Sequence, residues 1–115
     1  MPAADRPVYL RLRDEIVAMI LDGRIAEGDA LPSVRAFAAD QGANPLTVAK
    51  AYQSFQDDGL VTVRRGIGMF VDPGAAERLR QSARTHFLEQ EWPGIALRMR
   101  RLDIYAADLL ERAES

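Results

Sequence analysis

Nine residues, Asn44-Pro45-Leu46-Thr47-Val48-Ala49-Lys50-Ala51-Tyr52, constrain this chain more than any other stretch. Lying between Gly42 and Gly59, they carry the start, the buried stripe and the outer face of one helix. Asn44 is a preferred cap, its side-chain oxygen able to accept from an otherwise unpaired N–H. Pro45 falls at the first helical position, where its missing N–H is no loss. Val48, Ala51, Tyr52 and Phe55 recur at three- and four-residue spacing, which predicts one apolar stripe. The opposite face carries Leu46, Thr47, Lys50, Gln53 and Ser54, with no carboxylate before Asp57. Short hydrogen-bonding groups and a cation unopposed by acid suit a helix that enters a DNA groove.

The flanking sequence builds a frame for that helix. Pro7 opens a first helix at its first turn, Tyr9, Leu12, Ile16 and Ile20 make its buried stripe, and Gly23 ends it. Gly28 and Asp29 mark a turn in the linker 24–31. Ser33 caps a second helix in which Val34, Phe37 and Ala38 face inward and Gly42 is the stop. Only Gly42-Ala43-Asn44 separates it from the third helix, and two short helices joined by such a turn form a helix-turn-helix unit. After Gly59 the period changes. Leu60-Val61-Thr62-Val63 and Met69-Phe70-Val71 are β-prone and bracket Arg64-Arg65-Gly66-Ile67-Gly68, a hairpin with a basic, glycine-bearing tip.

The fold class that follows is mainly α with a small β-hairpin: a winged helix-turn-helix over residues 1–73, closed by Asp72-Pro73-Gly74, then a helical tail over 74–115. In the tail, Leu88, Trp92, Ile95, Met99 and Leu102 are spaced four, three, four and three, a short coiled-coil-like seam. Pro93 should kink the helix that carries them, yet the apolar phase runs through it, so one bent helix is expected over about 75–101. Ile104-Tyr105 and Leu109-Leu110 are assigned to a final short helix. Phe87, Leu88, Trp92, Ile95, Met99, Leu102 and Leu109 are the expected dimer interface, because such a stripe on a small domain must be covered. Phe87, Trp92 and Met99 could instead line a ligand pocket between tail helices.

Composition narrows the function classes. The chain has no cysteine and one histidine, His86, which excludes disulfides and thiolate zinc sites and leaves little material for nucleophile–base catalysis. No metal site, cofactor or enzymatic activity is expected. The longest apolar run, residues 16–21, is far short of the ~20 residues a membrane span needs, and residues 1–7 have no signal-peptide core, so a cytoplasmic protein is expected. The balance of 15 basic and 17 acidic residues is not that of a generally basic DNA-binding protein. Distribution compensates in part: Arg35, Lys50, Arg64 and Arg65 lie in the DNA-facing segments, whereas Asp14, Glu15, Asp22, Glu27 and Asp29 lie elsewhere.

With these residues in place, the chain resembles the GntR family of transcription regulators. The likeness runs from Pro7 to Val71: Pro-x-Tyr at the start, Leu31-Pro32-Ser33-Val34-Arg35, Asn44-Pro45-x-Thr47-Val48-x-Lys50-Ala51-Tyr52, and Asp58-Gly59-Leu60-Val61 leading to Arg64-Arg65-Gly66-x-Gly68-x-Phe70-Val71. The Asn-Pro-x-Thr-Val string, the Ala-Tyr-Gln that follows and the short tail resemble the YtrA-like branch. That resemblance implies a homodimeric repressor bound to double-stranded DNA at a palindromic operator, commonly of an operon for an ABC-type transporter. Other branches read bases with arginines at the positions of Pro45 and Ala49, a contact this sequence cannot make. The large effector domains of those branches, one of them binding metal through several histidines, have no counterpart here.

Roles follow residue by residue. In the matched pattern Arg35 reaches DNA, clamping a phosphate or a guanine edge, unless it pairs with Asp40. Ser33 sits beside it. Thr47, in the first turn of the third helix, can bind a phosphate with backbone N–H groups or serve the helix cap. Lys50 is the best candidate for a base edge; Asn44 and Leu46 could reach bases too, Leu46 through a thymine methyl or else as a stray surface residue. Arg64 and Arg65 suit phosphates or a narrow minor groove, and Gly66 permits close approach or simply the positive φ of the turn. Two rivals remain at this point: an interaction module on a winged-helix scaffold, and a ligand-sensing regulator.

Overall fold

Side-chain caps set the starts of the second and third helices, the two of the helix-turn-helix. A computed structural model describes residues 6–114; the reading of the N-terminus as leaderless, and the outer limits of the two expected regions, fall on residues outside them. The order is α1 (Val8–Leu21), α2 (Val34–Gln41), α3 (Pro45–Asp57), β1 (Val61–Arg64), β2 (Gly68–Val71), α4 (Ala75–His86), a π-helical turn (Phe87–Glu91), α5 (Trp92–Arg101) and α6 (Ala106–Glu114). Pro7 does not join the first turn as expected. Its ψ of 143° is extended, and it precedes α1 as the cap residue. Ser33 Oγ accepts from the Ala36 N–H at 3.1 Å, and Asn44 Oδ1 from the Leu46 N–H at 2.8 Å. Gly42, at φ 62°, ends α2 in a left-handed conformation open to glycine without strain, and the Ala43 N–H closes back on Ala38 O.

The chain divides into two units, residues 1–80 and 81–115. In the first, Leu12, Ile16 and Ile20 of α1 pack with Phe37 and Ala38 of α2 and with Val48, Ala51, Tyr52 and Phe55 of α3. Leu60, Val61 and Val71 bring the hairpin into the same core. The hairpin is antiparallel, pairing Val61 with Val71 and Arg64 with Gly68. A feature not foreseen from sequence is a third short strand-like segment: Ala30 bridges to Phe70, with the Leu31 N–H on Met69 O and the Val71 N–H on Asp29 O. The linker thus pairs with the wing instead of looping free. The start of α4 also belongs here, since Ala75 and Leu79 are 1 % and 7 % exposed. Arg78 donates to the carbonyls of Asp58 and Gly59, and Glu27 accepts from the Ala76 N–H.

The second unit is helical. The backbone stays helical from Ala75 to Arg101, with a π-helical turn at Phe87–Glu91 and Pro93 in the first turn of α5. Ile104 and Tyr105 do not enter the last helix as expected. Asp103 takes a left-handed φ of 55°, the Ile104 N–H returns to Met99 O, and the Tyr105 N–H bonds the Asp108 carboxylate, so α6 begins at Ala106. His86 Nδ1 lies 3.1 Å from Glu91 Oε2 on the surface. No described helix is long and apolar enough to cross a membrane.

Candidate nucleic-acid interface

The helix that carries the candidate site is fixed from three sides. Its apolar stripe is buried as the spacing predicts, with Val48, Ala51 and Phe55 fully enclosed. The Tyr52 ring packs 6.1 Å from that of Phe37, and its hydroxyl donates to Pro32 O at 2.8 Å, tying α3 to the loop that delivers Ser33 and Arg35. Burial pushes the Tyr52 phenol up to about 12, so it stays a neutral donor.

What remains outside is the proposed reading face. Leu46 is 79 % exposed, Asn44 and Lys50 are exposed, and Thr47 is half-buried. No acidic residue interrupts this face before Asp57, whose carboxylate accepts from Gln53. Arg35 is exposed at the start of α2, and the pairing with Asp40 that sequence left open is not made: Asp40 accepts from Gln41 instead. Ser33 is exposed, its oxygen engaged in the cap. At the wing, the Arg64 guanidinium stacks 4.7 Å from the Phe70 ring centroid, while Arg65 and Gly66 sit exposed at the tip. The Ile67 N–H closes the turn on Arg64 O.

Along the seam between α1 and α3 one expectation fails and another holds only in part. Ser54, assigned to the outer polar face, is an internal link: Arg13 Nη1 donates to its hydroxyl oxygen at 2.7 Å and its own O–H turns back to Ala51 O. Tyr9, assigned to the buried stripe, is half-buried, and the Lys50 ammonium lies 4.3 Å from its ring centroid. Arg13 itself was not singled out from sequence. Besides Ser54 it meets Asp58 at 2.8 Å and stacks 4.6 Å from the Phe55 ring. Its only sequence signal is its position beside Leu12 at the edge of the α1 stripe.

Set against known proteins, residues 8–71 match the family of bacterial regulatory proteins described as gntR. The chain belongs to the GntR family. It is similar to the HTH-type transcriptional repressor YtrA of Bacillus subtilis, 34 % identical over 77 % of this chain and 68 % of that one. It is also similar to the uncharacterised HTH-type transcriptional regulator YhcF of that species, 30 % identical over 94 % and 88 %. Among solved structures, a transcriptional regulator from Oenococcus oeni superposes with a TM-score of 0.69 at 25 % identity, covering 99 % and 93 % of the two chains. YtrA from Sulfolobus acidocaldarius, a GntR-family transcription factor, gives 0.56 at 31 % identity over 73 % and 88 %. A DNA-binding domain of AraR in complex with operator gives 0.56 at 25 % identity over 62 % and 86 %. This GntR protein is accordingly a DNA-binding transcription regulator of the YtrA-like type, with a winged helix-turn-helix, and not an enzyme.

Proposed function

We propose that this regulator is a homodimeric repressor of a palindromic operator, acting in the cytoplasm on a transporter operon. The observation that carries the reading is the outer face of α3, free of acid before Asp57 and flanked by exposed arginines on α2 and the wing. Lys50 contacts a base edge, with Asn44 and Leu46 beside it; Arg35, Thr47 and the free O–H of Ser33 hold phosphates. Arg64, Arg65 and Gly66 meet the minor groove or its phosphates.

Pairing is supported by the tail, where Phe87, Leu88, Trp92, Leu102 and Leu109 are exposed and Ile95 and Met99 are half-buried. Bare apolar side chains along a helix mark a protein contact. A two-fold pair would offer its two α3 helices to successive major grooves, about 34 Å apart, which demands an inverted repeat. The name of the Bacillus relative supports repression; the transporter operon comes from the YtrA-like resemblance.

The test is binding to duplexes selected from a random pool. Lys50→Ala should relax preference at one base pair of each half-site. Arg65→Ala should weaken all duplexes alike and flatten the salt dependence by about 0.9 in log–log slope. Wild-type binding by both variants would remove the assignment.

A further inference from the structure

Two contacts cross from α1 to α3, one helical turn apart on each helix. Tyr9 faces Lys50, and Arg13 faces Ser54, Phe55 and Asp58. Each places a cation of one helix over an aromatic ring of the other, Lys50 over Tyr9 and Arg13 over Phe55. The two cations differ in what neutralises them. Arg13 is held by the Asp58 carboxylate and by Ser54, and its side chain is only 18 % exposed. Lys50 is exposed and rests on a ring, which has no net charge to pair with the ammonium. A free lysine loses rotamer entropy when a ligand orders it. A ring that already restricts the ammonium reduces that loss without cancelling the charge DNA requires.

From this we propose that Tyr9 is a positioning residue for DNA recognition: its ring pre-orients Lys50, and the base preference exerted by Lys50 depends on it. The Arg13 contacts fix the register of α1 against α3 that sets Tyr9 opposite Lys50. The inference rests on the reading of Lys50 as a base contact, and the measurements separate the two.

Binding is measured for the full chain against the selected operator and its single base-pair variants. Lys50→Ala should lower discrimination at one base pair about tenfold. Tyr9→Leu should lower it at that same base pair by about two- to fivefold, and Tyr9→Phe, which keeps the ring, should retain it. Combined with Lys50→Ala, Tyr9→Leu should add nothing at that position. Discrimination unchanged in Tyr9→Leu, or an equal loss on every duplex that persists in the Lys50→Ala background, would overturn the inference while leaving Lys50 as a reader. If Lys50→Ala alters no base preference, both fall. Should Tyr9→Leu not fold, proton NMR of the wild-type protein decides: the Lys50 ε-methylene protons must show an upfield ring-current shift, and its absence would overturn the pre-orientation.

Discussion

At the scale of single residues, Tyr52 shows how one side chain joins packing to the geometry of the interface. It is 3 % exposed, and its hydroxyl satisfies Pro32 O across the helix-turn-helix. Because its pKa is raised from 10.0 to about 12, the folded state keeps a proton that the unfolded chain releases first. The associated stability is therefore complete below pH 10 and declines as pH rises from 10 through 12. Replacing Tyr52 by Phe removes both the hydrogen bond, worth about 1 kcal/mol, and the titration. Urea unfolding should then show the wild-type advantage over Tyr52→Phe falling by about 1.4 kcal/mol between pH 8 and pH 11. A gap that does not change with pH would contradict the assignment. The caps at Ser33 and Asn44 were legible in the sequence because their partners lie two or three residues away. The partner of Tyr52 lies 20 residues back, and only its burial was foreseeable.

Among the elements, α1 and α3 are held by more than apolar contact. Arg13 bonds Ser54, pairs with Asp58 and covers Phe55 from one position. Asp58 is 54 % exposed, so solvent screens that pair, and most of the effect should come from the Ser54 bond and the stacking. Arg13→Ala should destabilise the protein by about 1–2 kcal/mol, read as a lower urea midpoint at unchanged m. Arg13→Lys should recover less than half, since an ammonium has no planar fork to reach Ser54 and Asp58 together. Equal stability of all three proteins would show the contacts to be incidental. Sequence periodicity located both helices and their stripes. It placed Ser54 on the wrong side because a serine at the edge of a stripe is equally compatible with solvent and with a donor on the next helix. The strand-like pairing of Ala30 with Phe70 was also missed, as Ala30 lies in a turn-rich linker with no β-prone run of its own to show a period.

For the whole molecule, the tail is where large apolar side chains stand exposed in series. Trp92 is 40 % exposed, within a region whose described residues include no buried side chain past Leu79. On the proposed dimer, Trp92→Glu should give a monomer in sedimentation velocity while leaving the thermal unfolding of the winged-helix unit unchanged. Affinity for the full operator should then fall by about tenfold or more, because two linked half-sites become two separate binding events, while affinity for an isolated half-site stays the same. A Trp92→Glu protein that remains dimeric would move the interface off this seam.

The amino-acid sequence by itself located the three helices of the winged-helix unit, the caps of α2 and α3, the hairpin and the order of the motifs. Those features depend on neighbours within a turn or on a simple period, and their chemistry is written locally. Only the tertiary structure decided which long side chains are already committed. Arg13 is tied to a residue 41 positions away and Lys50 lies over a ring on another helix, and such pairings depend on the register of packed helices, which no local pattern encodes.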